Sequence, residues 1–552
     1  MNFHVIEIPK GSSRVGRLNP DQHIHLTVVL AQKAPLPPPH ATVPTPNNEY
    51  HTPLSMSQLM THAQLREAHG AAAGSVEMVR SFAERHGLLV VEVADKRRAV
   101  RLSGTASVVE RAFKTQLEEF DHKGARFFAP SRPVVAPDEW QGVVESILGL
   151  HNSRHSNPRR RSSLCSLEPT ANIIDLARAY RFPENLDAAG QTIGLIEFGG
   201  GFYPEDIQEF CRSLDIPEPR ISVVKVGDGE NQPASRRAIH EFLQILSGTL
   251  SIAAEATESD AFIAAQCTAE VTMDLEILAA LAPAAHIVVY FAPSDAQGLY
   301  HALSHAVLDE DNKPDVLSIS WSFPEHLVSK TEIDVLETVL REAAHLGISV
   351  CASTGDAGAM NGAKDGPPSV NYPASSPHCL ACGGTSGSIM PTDIGKEEAW
   401  NASHFGIHGA TGGGISCRFH VPAWQHDAQV PVGPDGAPGR GIPDVAGLAD
   451  PRYGFEMRMT GRTFASAGTS AVAPVWAALI ARINQALGRR CGHLHPHLYA
   501  IGREKHTALR PVLKGYNGYY HADERWNACA GYGTPRGDAL LAYFQSLPHN
   551  HT

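Results

Sequence analysis

The chain has 552 residues, too many for one compact core, so two domains are expected. It is 43% hydrophobic and 19% charged, a folded globular composition, and a formal charge of −12 without a basic, aromatic-rich stripe excludes a nucleic-acid partner. The 29 histidines would reverse the sign of that charge in acid, and no run of about 18 apolar residues exists to span a membrane.

Residues 1–152 read as a separate module. His23–Leu30 predicts a strand that ends in the proline-rich run Pro35–Pro39. Helices are expected near Ser57–Ala68 and Ser75–His86, then a hairpin of Leu88–Val93 and Ala99–Leu102 joined at Asp95-Lys96. Further helices are expected over Ser107–Phe120 and Glu139–Leu148. This order suits a small antiparallel sheet backed by helices. Met1–Leu18 lacks the apolar core of an export signal. Residues 153–167, within the polar, arginine-rich stretch His151–Leu167, predict an exposed linker of the kind proteases cut.

From Ile173 onward, apolar runs at Thr192–Ile196, Ile221–Val226, His286–Phe291, Val316–Ser320 and Gly347–Ala352 alternate with helical stretches. Continuous Val/Ile/Leu runs predict a parallel sheet covered on both faces, an α/β domain. Active groups of such sheets gather at the carboxyl ends of strands, where Glu197, Trp321 and Asp356 fall. Nine scattered cysteines do not form a disulfide framework. Cys379 and Cys382 form one pair without a second, and Cys491, His493, His495 and His497 read as solvated loop residues rather than a metal site.

Two stretches carry chemistry. Ala269–Leu281 is helical in pattern and stops at Pro283, which puts Glu270 and Asp274 on one face, four residues apart. Taken alone the pair is a solvated acidic face, with Glu276 pointing away from it as a surface carboxylate. Ser470 opens an Ala- and Leu-rich helix after a Gly-Thr turn. A helix N-terminus offers backbone N–H groups to an anion, although a serine there is ordinarily a cap. A serine nucleophile also needs a base. No His-Gly-Thr element follows a strand, so the carboxylates of Glu270 and Asp274 are the available base.

The motifs IGLIEFGGG (Ile193–Gly201), the run Glu270–Pro293, SISW (Ser318–Trp321), ASTGDAG (Ala352–Gly358), GRGIPDVAG (Gly439–Gly447) and GTSAVAP (Gly468–Pro474) occur in this order. Together with HIHLTVVLAQKAPLP and VRLSGT in the first module, they resemble the sedolisin family of serine-carboxyl peptidases, in its kumamolisin-like branch. The resemblance implies a subtilisin-like parallel sheet over 168–552, preceded by a ferredoxin-like α+β propeptide over 1–152. It also implies Ser470 as nucleophile, Glu270 as general base, Asp274 as its orienting partner and Asp356 as a protonated oxyanion donor. Glu197 and Trp321 match positions that extend the carboxylate network. The implied protein is a monomeric acid endopeptidase acting on polypeptides, secreted or periplasmic, whose propeptide covers the cleft until acid self-cleavage near Asn157–Ser166. A tripeptidyl aminopeptidase and an inactive peptide-binding homologue are the alternatives.

The pattern also departs from the family. The calcium positions correspond to Thr507, Ala508, Asp523, Arg525 and Asn527, with most anionic oxygens gone. No cofactor is therefore expected, with Arg525 supplying the missing positive charge by pairing with Asp523 or nearby carbonyls. An insertion spans roughly Ser235–Ala265 and includes an amphipathic Ile239–Leu246. Asn371 stands where members favouring basic side chains carry an Asp.

Overall fold

Alternation along His23–Leu30 (β1) sends its side chains to two different cores. Leu26, Val28 and Leu30 pack on Phe82, Phe113 and Trp140 inside the first module. Val29 faces the other way, into a core shared with the second. After β1 come α1 (Ser75–His86), β2 (Leu89–Ala94), β3 (Ala99–Thr105), α2 (Ala106–Ala112) and β4 (Val144–Leu148). The sheet order β4-β1-β3-β2, antiparallel throughout, is the ferredoxin-like arrangement. The computed structural model describes residues 2–3, 8, 11–38, 40–44, 49–53, 58–122, 124–135, 137–152, 172–246, 259–295, 297–361, 367–403 and 409–547. The linker expected at 153–167 lies outside them.

Three sequence expectations need correction here. Glu139–Leu148 is not a helix: only Asp138–Trp140 makes a single 3-10 turn, and Val144–Leu148 pairs with β1. Ser107–Phe120 is helical only to Ala112, and Leu117–His122 is a strand in a separate three-stranded sheet. The early helix is His62–His69, started by a Thr61/Gln64 capping box.

The second module is built on β5 (Thr192–Phe198), α3 (Pro204–Ser213), β6 (Arg220–Lys225), α4 (Arg236–Leu246), α5 (Asp260–Leu281), β7 (His286–Ala292), α6 (Gly298–Val307), β8 (Val316–Ile319), α7 (Lys330–His345), β9 (Ser349–Ser353), β10 (Leu380–Met390), β11 (Asp393–Ala399), β12 (Val445–Leu448), the hairpin β13 (Phe455–Met459) and β14 (Arg462–Ser466), and α8 (Thr469–Leu487). The sheet runs β6-β7-β5-β8-β9-β10, all parallel. The long β10 also takes parallel β12 and antiparallel β11 along its length. Helices α3, α5 and α8 cover one face, and α6 and α7 the other. Helix α5 is buried on nearly every side from Cys267 onward, so it has no polar stripe. It starts at Asp260, capped by Ser259, within the stretch read as an insertion. Helix α4 seats Phe242 edge-on against Phe262 of α5.

The modules meet across α6 and α7. Leu36, Leu65, Ala99 and Leu148 of the first share a core with Leu299, Leu303, Leu336 and Leu340 of the second. Arg98, almost fully buried, donates to Leu30 O (2.7 Å) and Glu342 (2.9 Å) and lies 3.3 Å from Glu145. Gln32 also donates to Glu342 at 2.9 Å, and Thr338 to Glu145 at 3.0 Å. Thr27 donates to Gln297 (2.7 Å) and lies 3.0 Å from His301 Nε2. Lys96 and Arg66 both pair with Glu310. These contacts centre on α6, α7 and the turns beside them. Among the described residues no helix is long and apolar enough to cross a membrane.

Candidate active site

Parallel strands β5, β8 and β9 end side by side, and the polar groups stand at those ends. Glu197, fully buried near the end of β5, accepts a 2.8 Å hydrogen bond from Trp321 Nε1, just beyond β8. Ser320, between β8 and Trp321, lies with Oγ 2.5 Å from Asp274 Oδ2 and 3.1 Å from Ser470 O. The shorter contact assigns its proton to the carboxylate of Asp274, which is fully buried on α5. Glu270 is one turn earlier on the same face of α5. Ser320 was not singled out in the sequence. Its only signal there is a hydroxyl at the carboxyl end of a buried parallel strand.

Ser470 is buried in the first turn of α8 and donates to Ser320 O at 3.3 Å. Four residues on is Pro474, which has no N–H to give to the Ser470 carbonyl. Ser320 Oγ lies beside that carbonyl. On the other side, Asp356 Oδ1 accepts from Thr469 N (2.8 Å) and Thr469 Oγ1 (2.7 Å). Gly468 has φ +110°, and a Cβ there would lie 2.7 Å from Asp356 Oδ2. Only glycine lets the nucleophile turn pass so close to that carboxyl. Of the six site residues expected from the sequence, Glu197, Trp321, Asp274, Asp356 and Ser470 lie about the carboxyl ends of these strands, and Glu270 lies one turn from Asp274 on α5. Hydrogen bonds link Asp274, Ser320 and Ser470, join Asp356 to the residue beside the nucleophile, and join Glu197 to Trp321. Asn371, also buried, donates to Thr354 O at 2.9 Å close by.

Glu276 is not a surface carboxylate. It is fully buried, because α5 has no solvated side, and it accepts from Arg458 N of β13. His493 and His495 are likewise buried rather than solvated. His495 Nε2 reaches Cys379 O (2.9 Å) and Asp444 (3.2 Å), and both rings pack on Trp424. Among the described residues no cluster of three His, Cys, Asp or Glu is gathered as for a metal.

The positions implied for calcium hold a different donor set. Asn527 Nδ2 lies 3.4 Å from Val512 O, 3.4 Å from Asp523 O and 3.3 Å from Arg525 O. Its Oδ1 accepts from Cys529 N and Ala530 N at 3.2 and 3.0 Å. Ala508 O is engaged by Arg536 N at 2.9 Å. A hard cation needs converging oxygens with anionic charge, and here a neutral NH₂ group points at the carbonyls instead. The residues do not suit the ion. Nor does the Arg525 guanidinium stand in for it: that side chain reaches Gln429, and only its backbone N–H touches Asp523.

A profile of the Pro-kumamolisin activation domain matches residues 10–153. Kumamolisin of Bacillus sp. strain MN-32 is 36% identical over 553 residues, covering 95% of this chain and 92% of that protein. The chain belongs to the sedolisin family. Tripeptidyl-peptidase sed5 of Aspergillus fumigatus is 25% identical over 594 residues, covering 97% and 95%. Among solved structures, Pseudomonas sedolisin, a serine-carboxyl proteinase complexed with pseudo-iodotyrostatin, superposes with TM-score 0.57 at 24% identity. That match spans 69% of this sedolisin-family chain and 99% of the other, and supports the shared fold of the second module.

Proposed function

We propose that this chain is an acid-acting serine-carboxyl endopeptidase made as a self-activating zymogen. The observation that carries the reading is the line Asp274–Ser320–Ser470, with Asp356 fastened to Thr469 beside it. Ser470 Oγ attacks the scissile carbonyl carbon while Glu270, oriented by Asp274, takes the hydroxyl proton. The carbonyl electron pair moves onto oxygen, and Asp356 in its acid form donates to that oxyanion. Because Thr469 donates twice to Oδ1, the acid proton belongs on Oδ2. Collapse breaks the C–N bond as Glu270 returns its proton to the amine, and water repeats the sequence on the acyl-enzyme. A carboxyl base works where imidazole is already protonated, which suits acid conditions outside the cytoplasm, secreted or periplasmic. Trp321 holds Glu197 as an extension of the network. No cation is required, the Asn527 amide closing the loop in its place.

The propeptide is the intramolecular inhibitor, and its docking is sensitive to acid. Burial, aided by Arg101 and Arg97, holds His301 down to about 3. Burial likewise holds His305 down to about 4. Undocking wets both rings, so each takes up a proton below its ordinary value near 6.5. The undocked state thus binds more protons, and docking weakens as pH falls from about 6.5 toward 3–4. The interface carboxylates do not act together, since burial raises Glu145 while Lys96 lowers Glu310.

Acidifying the purified full chain and sequencing the new N-terminus tests the reading. A terminus within 153–167 accompanied by peptide cleavage is expected, and an intact Met1 in active enzyme would contradict the zymogen. The full-length likeness to a tripeptidyl-peptidase favours a second reading, release of tripeptides. Internal cuts in a peptide mixture distinguish the two.

A further inference from the structure

One buried carboxyl on α5 takes no part in the proposed chemistry. Glu276 lies two residues beyond Asp274, about 200° round the helix, on the side away from the nucleophile's carboxylates. Both its oxygens lie within reach of Arg458 N, at 3.0 and 3.3 Å. At the hairpin tip Thr460, with φ +53°, gives its N–H to Asp206 of α3 at 2.9 Å. Two helices thus grip the same hairpin through backbone donors. Strand β14 of that hairpin ends at Ser466, whose Oγ donates to Met273 Sδ of α5 at 3.0 Å. Only Ala467, Gly468 and Thr469 separate it from Ser470, and Gly468 N is held by Ala449 O at 2.8 Å. The other groups facing Glu276 are Asp206 and Cys211 of α3 and Glu456 and Arg458 of β13. Glu209 of α3 lies 3.5 Å from the Arg458 guanidinium. Burying a carboxyl is costly, and an apolar side chain would seat a merely structural hairpin more cheaply.

We infer that Glu276 is a positioning residue, fixing the β13–β14 hairpin on α5 so that its strand delivers Ser470 to the face carrying Glu270 and Asp274. One helix then sets both halves of the reaction, the base directly and the nucleophile through the hairpin. The inference rests on the peptidase reading, so its test has two readouts. In the activated enzyme, Glu276→Leu lowers kcat by about 10²-fold with KM little changed, the loss expected of a misplaced reacting group. Glu276→Gln, which keeps a carbonyl acceptor for Arg458 N–H, restores most of kcat. In the full chain carrying Ser470→Ala, hydrogen exchange of the Arg458 amide is slow with Glu or Gln at 276 and fast with Leu. Wild-type kcat in Glu276→Leu, or equal exchange in all three, overturns the inference. If Glu276→Leu does not fold, Asp206→Ala frees the other end of the hairpin and gives a smaller loss confined to kcat. An unchanged kcat there counts against the idea equally. A wild type that cleaves no peptide sinks the peptidase reading, while amide exchange still decides whether Glu276 holds the hairpin.

Discussion

The surface that holds the propeptide and the body of the second module each contain groups that burial shifts, and two sets among them answer acid in opposite senses. At the interface, beside the buried Arg98–Glu342 pair, stand two half-buried histidines, His301 and His305, which burial holds below their ordinary range. In the second module the contrasting set is two carboxyls, Glu337 and Glu276. Burial pushes Glu337 up to about 7, despite donors from Tyr372 and Ser376, and drives Glu276 well above the carboxylate range. A buried neutral histidine resists acid and a buried neutral carboxyl welcomes it. On the proposed reading the same proton would loosen the inhibitor and steady the enzyme beneath it.

The sharpest way to break this comparison is at the nucleophile. Ser470→Ala should lower peptide cleavage by about 10⁶-fold and stop self-processing, leaving docking intact so that its pH dependence can be measured alone. Substantial activity in that variant would end the mechanism. Ser320→Ala removes a hydrogen bond to a buried carboxylate and should cost roughly 10–100-fold in kcat without moving the docking midpoint. A shift in docking instead would mean that the two regions are coupled. His301→Gln should move acid undocking of the still-tethered propeptide to lower pH and remove about one proton from its slope, read as expansion on gel filtration of the Ser470→Ala chain. For Glu337, the folded form binds the extra proton between its ordinary value and about 7. The stability it contributes is therefore greatest in acid and is lost as pH rises to 7. The Tm of the processed enzyme should fall over that range, by about 2–4 °C per kcal/mol, and Glu337→Gln should flatten the fall. The smallest effect belongs to the Asn527 loop, where a chelator should leave Tm unchanged. Asn527→Asp should lower Tm until calcium is added.

Much of this was legible in the sequence because continuous apolar runs such as Thr192–Phe198 and His286–Ala292 have few ways to be buried other than a covered parallel sheet. The residues expected at strand ends, Glu197, Trp321 and Asp356, stand there. What failed did so for physical reasons. Val144, Ile147 and Leu148 fit a helix stripe as well as a strand, and only pairing with β1 decided between them. Glu276 looked solvated because the far side of an amphipathic helix usually is, whereas Val271–Leu281 is apolar nearly all round and has no wet side. Ser320 carries no pattern of its own. Its meaning comes from Asp274, 46 positions away, whose carboxylate it meets only in the fold.

The docking site on α6 and α7 has a consequence for the mature enzyme. Removing the propeptide bares a strip that carries Glu310, Glu332 and Glu342 beside Leu299, Leu303 and Leu336, shaped for a partner bearing Arg66, Lys96 and Arg98. A separately made propeptide, added back once the medium is neutralised, would find that strip intact. Activation would then be a choice the surroundings can reverse for as long as the severed piece survives.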